Sequence, residues 1–188
     1  MRRTLFFILF LYLIIMLNAE TTIVIPPRNT ENRINDKIIT TDQYQTLSRT
    51  LNILRFKSNT IAFTNGCFDL LHQGHIHCLA QTANLADFVI VGLNTDASVQ
   101  RLKGPKRPLQ SQQARAQILA SLFYVNMVVL FDEDTPYELI KLIQPDVLTK
   151  GGDYHPDSIV GADIVKNNGG QVTVIPFLDG HSTTKLIS

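Results

Sequence analysis

The sequence predicts an α/β domain, a doubly wound parallel sheet of five strands with helices on both faces. Three observations carry this. From residue 60 onward, short apolar runs alternate with segments of helical period, the pattern of a parallel sheet built by crossover helices. Phe88 to Leu93 (FVIVGL) is apolar without interruption, as a strand buried on both faces should be. The residues best suited to chemistry follow strands, and ligands bind such sheets beyond the carboxyl ends of their strands.

Each element has its own signal. Thr41-Asp42-Gln43-Tyr44 reads as a cap opening a helix to about Arg55, with Leu47, Leu51 and Leu54 at helical spacing. Thr60 to Thr64 is the first strand. Gly74 to Leu85 is helical, with Ile76, Leu79, Ala80 and Ala83 on one face. Phe88 to Leu93 is the second strand. Ser111 caps a helix to Phe123, and Tyr124 to Phe131 contains the third strand. Thr135 to Ile143 is helical, with Pro136 in the first turn, where a missing N–H costs little. Asp146 to Thr149 is the fourth strand. Ser158 to Asn168 is a helix ended by Gly169-Gly170, Val172 to Ile175 is the last strand, and Ser182 to Ser188 begins a helix.

Composition bounds the function. The 188 residues fit one domain with a core that needs no staples. Hydrophobic residues at 45% and charged residues at 18% exclude a disordered or highly charged chain. A formal net charge of +1 argues against a nucleic-acid-binding surface. Two cysteines, Cys67 and Cys78, exclude a disulfide scaffold and a four-cysteine zinc site, and no pair has metal-ligand spacing, so no metal ligands are expected.

Residues 1–19 form a separate signal-like or anchor segment. Arg2 and Arg3 precede an unbroken apolar run of 13 residues, Leu5 to Leu17, and Ala19 closes a small-residue pattern. The run is short for a bilayer-spanning helix, which needs about 20 residues. Any membrane contact is expected through this segment alone. Residues 20–40, with Pro26-Pro27, read as a linker, and residues 41–188 as the functional domain.

The strongest chemical signal is Thr64-Asn65-Gly66-Cys67-Phe68-Asp69-Leu70-Leu71-His72-Gln73-Gly74-His75. It runs from the end of the first strand into a helix N-terminus, where unpaired N–H groups and a partial positive charge suit a phosphate. Gly74 allows close approach of a ligand. His72 and His75 can donate hydrogen bonds to phosphate oxygens as charge develops.

The stretch Gly66 to His75 resembles the first motif of the nucleotidyltransferases with a His-x-Gly-His signature, the cytidylyltransferase-like group. Gly180-His181-Ser182-Thr183-Thr184-Lys185 is similar to that family's Ser-Thr-Thr segment opening the C-terminal helix. The resemblance covers about residues 58–188 and implies a Rossmann-like nucleotidyltransferase fold. Gly92 to Val99, Arg101 to Pro108, Phe131 to Pro136 and Lys150 to Tyr154 together look like the adenylyltransferase domain of the bacterial heptose-phosphate enzymes. Those make ADP-heptose for lipopolysaccharide, and the likeness is to the stand-alone form without a sugar kinase.

The resemblance implies roles. His72, His75 and Lys103 are the expected catalytic residues, the histidines on α- and β-phosphate oxygens and Lys103 on the α-phosphate. Lys103 matches the Lys-Gly pair of this branch, and with Lys106 and Arg107 it lies in a basic Gly/Pro-bounded loop. Nucleotide binding falls to Thr64, Asn65, Gly66, Cys67, Phe68 and Gly74, to Lys150, Gly151 and Asp153, and to Ser182, Thr183 and Thr184. Asp153 can accept from a ribose hydroxyl, and Ser182 and Thr183 would follow the β- and γ-phosphates. Arg107 and Arg115 are expected at the acceptor substrate, although Arg115, within a helix, leaves solvent exposure open as a second orientation. Asp69 is expected to orient the turn, since a carboxylate beside a triphosphate would repel it. Cys67 reads as a small packed residue, Cys78 as core-facing, and His77 and His155 as structural or exposed.

The expected reaction is ATP plus heptose 1-phosphate giving ADP-heptose and pyrophosphate, with Mg²⁺ as counter-charge on the triphosphate. The expected partners are therefore small molecules, and the resemblance allows a homodimer. Two other readings are a cytidylyltransferase acting on glycerol phosphate or a similar small phosphate, and a non-catalytic nucleotide-binding module. ATP and sugar phosphates are cytoplasmic, so a cytoplasmic location is expected despite the leader-like segment.

Overall fold

A computed structural model of the chain describes residues 30–176. The chain runs α1 (Thr30–Asn35), β1 (Ile38–Ile39), α2 (Tyr44–Phe56), β2 (Ile61–Gly66), α3 (Gln73–Ala83), β3 (Phe88–Asn94), α4 (Asp96–Lys103), α5 (Gln112–Ala120), β4 (Met127–Phe131), α6 (Tyr137–Ile143), β5 (Val147–Gly151), α7 (Ala162–Asn167) and β6 (Gln171–Ile175). The strands form one sheet in the order β1-β4-β3-β2-β5-β6, and every pairing is parallel.

Side chains alternate across the strands, as the period of two requires. Ile61, Phe63 and Ile90 face one layer, where they meet Leu47, Leu51 and Leu54 of α2, Leu139, Ile140 and Ile143 of α6, and Val165 of α7. Val89, Val91 and Leu93 face the other layer, against Leu79 of α3 and Ala116, Leu119 and Ala120 of α5. Both faces are covered, which is why β3 reads as a continuous apolar run.

The sheet has six strands where the sequence predicts five. The extra strand, β1, is only two residues long, pairing Ile38 with Val128 and Ile39 with Val129. It falls in the stretch expected as a linker, as does all of α1. Lys37 Nζ ties this segment down by donating to the carbonyls of Ala120, Leu122 and Val125 at 3.0, 3.4 and 2.8 Å, at the end of α5.

Two further differences bear on the site. Lys103 does not lie in a loop; it is the last residue of α4, whose N-cap Thr95 accepts from the Ser98 N–H and whose C-cap is Gly104 with φ +89°. That φ favours glycine. The helix expected over Ser158 to Asn168 is shorter, a 3₁₀ turn at Pro156–Ser158 followed by α7. The helix expected from Ser182 lies outside the described residues. Among the described residues no helix is long and apolar enough to cross a membrane.

Candidate active site

The chain leaves β2 for β3 on one side and later leaves β5 for β6 on the other, so strand order reverses between neighbouring β2 and β5. A cavity of about 590 Å³ lies there. Its floor is the β2 end, Thr64, Asn65 and Gly66, with Cys67, Phe68 and Asp69 of the following turn. Lys150 and Gly151 close it from the end of β5, His72, Gly74, His75 and Cys78 from the start of α3, and Lys103 from the end of α4. Its position matches the place where open α/β sheets bind ligands.

The turn between β2 and α3 is tightly specified. Phe68 takes a left-handed φ of +44°, which swings its ring over Gly66. A Cβ on Gly66 would stand 3.1 Å from that ring, so any larger residue would have to push the Phe68 ring aside by a few tenths of an ångström. The Phe68 ring also packs against His75, centroids 5.1 Å apart. His72 is the N-cap residue of α3, and its backbone N–H donates to His75 Nδ1 at 3.4 Å. Burial, then the proximity of His72 and Lys103, pushes the His75 imidazole down from 6.5 to about 4, against a backbone hydrogen bond at Leu70. The neutral imidazole is therefore the favoured form of His75 at physiological pH.

Lys150 Nζ donates to the Asn65 carbonyl and to Asn65 Oδ1, both at 3.2 Å. Burial lowers its pKa, with the Cys67 and Cys78 thiols acting the other way. The carboxylates on the cavity wall are engaged elsewhere. Asp134 pairs with Arg101 at 2.8 Å. Asp69, 2% exposed, accepts from Arg107 Nη1 at 2.7 Å and from the N–H groups of Leu109 and Gln110 at 2.7 and 3.2 Å. Burial alone would raise the Asp69 carboxyl, but these hydrogen bonds outweigh it and hold the group below the ordinary carboxylate range. The site thus presents two imidazoles, two lysines and a helix N-terminus, a lining suited to a polyphosphate.

No group of three or more His, Cys, Asp or Glu side chains able to hold a metal ion occurs among the described residues.

Most residues singled out from the sequence line this cavity. Arg107 and Arg115 do not. Arg107 is engaged with Asp69. Arg115 is 1% exposed, and its guanidinium is committed to the Gln110 carbonyl at 3.1 Å, the Cys67 carbonyl at 2.6 Å and Asp96 Oδ1 at 2.7 Å. Neither orientation expected for Arg115, into the site or into solvent, is the one found. Asp153 is exposed and off the wall, whereas Tyr154 lies on it. Cys78, expected to face the core, lines the cavity instead. Ser182, Thr183 and Thr184 lie outside the described residues. Sequence reasoning missed Asn94, Thr135 and Ile159 of the wall. Asn94 had a signal, a polar residue closing an apolar strand; Ile159 had none.

A family model described as cytidylyltransferase-like matches residues 63–187. The bifunctional protein HldE of Caulobacter vibrioides is 56% identical over 134 residues, 71% of this chain and 28% of that protein. The bifunctional protein HldE of Syntrophotalea carbinolica is 52% identical over 143 residues, 76% of this chain and 29% of that protein. The chain spans less than a third of the length of these relatives. Among solved structures, a lipopolysaccharide core biosynthesis protein from Thermoplasma volcanium GSS1 is similar with a TM-score of 0.51 and 26% identity, over 64% of this chain and 97% of that one. A pantoate-beta-alanine ligase from Francisella tularensis shares the fold, with a TM-score of 0.54 and 19% identity over 74% of this chain and 67% of that one.

Proposed function

The chain belongs to the cytidylyltransferase-like family, and on that premise we propose that it transfers an adenylyl group from ATP to heptose 1-phosphate, giving ADP-heptose and pyrophosphate. A phosphate oxygen of the sugar attacks the α-phosphorus in line. That P–O bond forms as the bond from the α-phosphorus to the α,β-bridging oxygen breaks, and pyrophosphate leaves with the electron pair. No covalent enzyme intermediate is needed, so catalysis is positioning and charge stabilisation.

The single observation that carries this reading is the convergence of His72, His75, Lys103 and Lys150 on one cavity at the switch point, with its carboxylates engaged elsewhere. The histidines hold α- and β-phosphate oxygens. Lys103, on the exposed end of α4, follows the α-phosphate as charge grows. Lys150 holds the nucleotide from the end of β5, and Asn65 from the end of β2. Ser182 and Thr183 follow the β- and γ-phosphates, and Thr184 completes the nucleotide-binding segment. The adenylyl branch and the heptose acceptor rest on the sequence resemblance. Since both substrates are cytoplasmic, this reading places the reaction in the cytoplasm.

The test is pyrophosphate release with ATP and with CTP, each with and without heptose 1-phosphate. Release that requires both ATP and the sugar phosphate is expected. Preference for CTP overturns the adenylyl branch, and ATP binding without release in the presence of heptose 1-phosphate overturns catalysis.

A further inference from the structure

Lys103 is exposed at the end of a helix, yet both flanks of its segment are fastened to the same turn, the one between β2 and α3. On the distal side, Asp69 receives Arg107 Nη1 on one carboxylate oxygen and the Leu109 and Gln110 N–H groups on the other. These partners are 38 to 41 residues away in sequence, and the first lies four residues beyond Lys103. On the proximal side, Asp96 is the first residue of α4, and it receives Arg115 Nη2 at 2.7 Å. Arg115 Nη1 meanwhile donates to the Cys67 carbonyl. Cys67 and Asp69 flank Phe68, whose ring packs on His75. The two arginines thus hold the lysine arm and the histidine turn as one unit.

A buried carboxylate is costly unless fully hydrogen-bonded, and removing one partner of such a pair is strongly destabilising. Asp69 meets that demand wholly from the Lys103 segment. If its purpose were only to shape the turn, acceptors and donors within the turn would serve. Joining two segments this far apart in sequence fixes where Lys103 stands relative to the imidazoles.

We propose that Asp69 is a positioning residue that acts through Lys103, setting the lysine's reach toward the α-phosphate, attached to the lysine's segment through Arg107 and the Leu109 and Gln110 N–H groups, while Arg115 braces the other flank through Asp96 and the Cys67 carbonyl. This rests on the reading of Lys103 given under Proposed function. A displacement of about 1 Å in such an arm costs on the order of 100-fold in rate.

The experiment is a double-variant cycle in the full chain. Asp69→Asn is made alone and in a Lys103→Ala background, and kcat and KM for ATP and heptose 1-phosphate are measured with thermal unfolding alongside. Asp69→Asn alone is expected to lower kcat at least about tenfold while KM for ATP moves less than about threefold. With Lys103→Ala already present, Asp69→Asn is expected to change kcat by less than about twofold, because the group it positions is gone. The same fold loss in both backgrounds, or a loss confined to ATP affinity, overturns the proposal. Lys103→Ala with unchanged turnover instead refutes the role of Lys103 itself, a distinguishable result. Should Asp69→Asn fail to fold, Arg107→Gln, at the less buried end of the pair, carries the same cycle. There a rise in KM for heptose 1-phosphate with kcat intact overturns the proposal by giving Arg107 to the acceptor.

Discussion

The imidazoles of His72 and His75 stack with centroids 3.8 Å apart and planes inclined by 26°. Two positive rings at that separation would repel strongly in a partly buried site. Burial first, then His72 and Lys103 nearby, therefore favour the neutral form of His75. A phosphate entering the cavity supplies the negative charge that this cluster lacks.

This sets a pH dependence of stability. The folded-state pKa of His75, about 4, lies below its ordinary value of 6.5. Between these values the unfolded chain takes up the proton first, so stability falls as pH drops through that window and is retained above it. Each pKa unit is worth about 1.4 kcal/mol. Thermal unfolding from pH 7.5 to 4.5 is expected to show a smaller fall in Tm for His75→Gln than for the wild type. Equal falls would assign the acid sensitivity to other groups.

His75→Ala is expected to lower kcat for pyrophosphate release by about 100-fold or more, the usual consequence of removing one donor from a preorganised oxyanion site. KM for ATP should change far less. Calorimetric ATP binding beside steady-state rates separates the two effects.

The reasons for what the sequence disclosed are physical. β3 and α2 announce themselves because burial on both faces, or on one helical stripe, leaves a periodic apolar record. α4 left none: only Ser98 and Val99 of its eight residues are buried, so DASVQRLK carries no apolar period. β1 is too short for any period to register. The phosphate turn was legible because its residues are consecutive. The clasp of Asp69 with Arg107, and of Arg115 with Asp96 and Cys67, was not, since its partners meet only after the sheet has formed.

Arg115 illustrates the cost of that illegibility. Its guanidinium makes three separate bonds in three directions, which a lysine ammonium on a flexible stem cannot reproduce. Arg115→Lys is expected to destabilise the protein by about 2–3 kcal/mol, read as a lowered denaturation midpoint. A fully stable variant with only a raised KM for heptose 1-phosphate would return Arg115 to the acceptor site.

Lys37 makes a prediction about the N-terminal segment. Its ammonium serves the Ala120 carbonyl at the end of α5, where the helix dipole also favours a cation, and the Leu122 and Val125 carbonyls of the connection that follows. Lys37→Met keeps the stem but strands those acceptors. A loss of about 1 kcal/mol in urea unfolding is expected, with kcat unchanged. A variant as stable as wild type would mean water replaces the ammonium without cost.

Lys150 gives the last prediction. Its ammonium is buried against two oxygens of Asn65, and burial lowers its pKa. A bound polyphosphate favours the charged form, so ATP affinity should fall as pH rises through the free-enzyme pKa of this lysine. That fall begins below the range of an exposed lysine. Lys150→Met is expected to weaken ATP binding about tenfold or more at pH 7.5, since hydrogen bonds to charged groups contribute about 1.5–3 kcal/mol. It should also flatten the alkaline decline, because the titrating group is absent. Calorimetric titrations with ATP from pH 7 to 10 test both effects, and a variant whose affinity is weak yet still falls steeply with pH would locate the titration in another side chain.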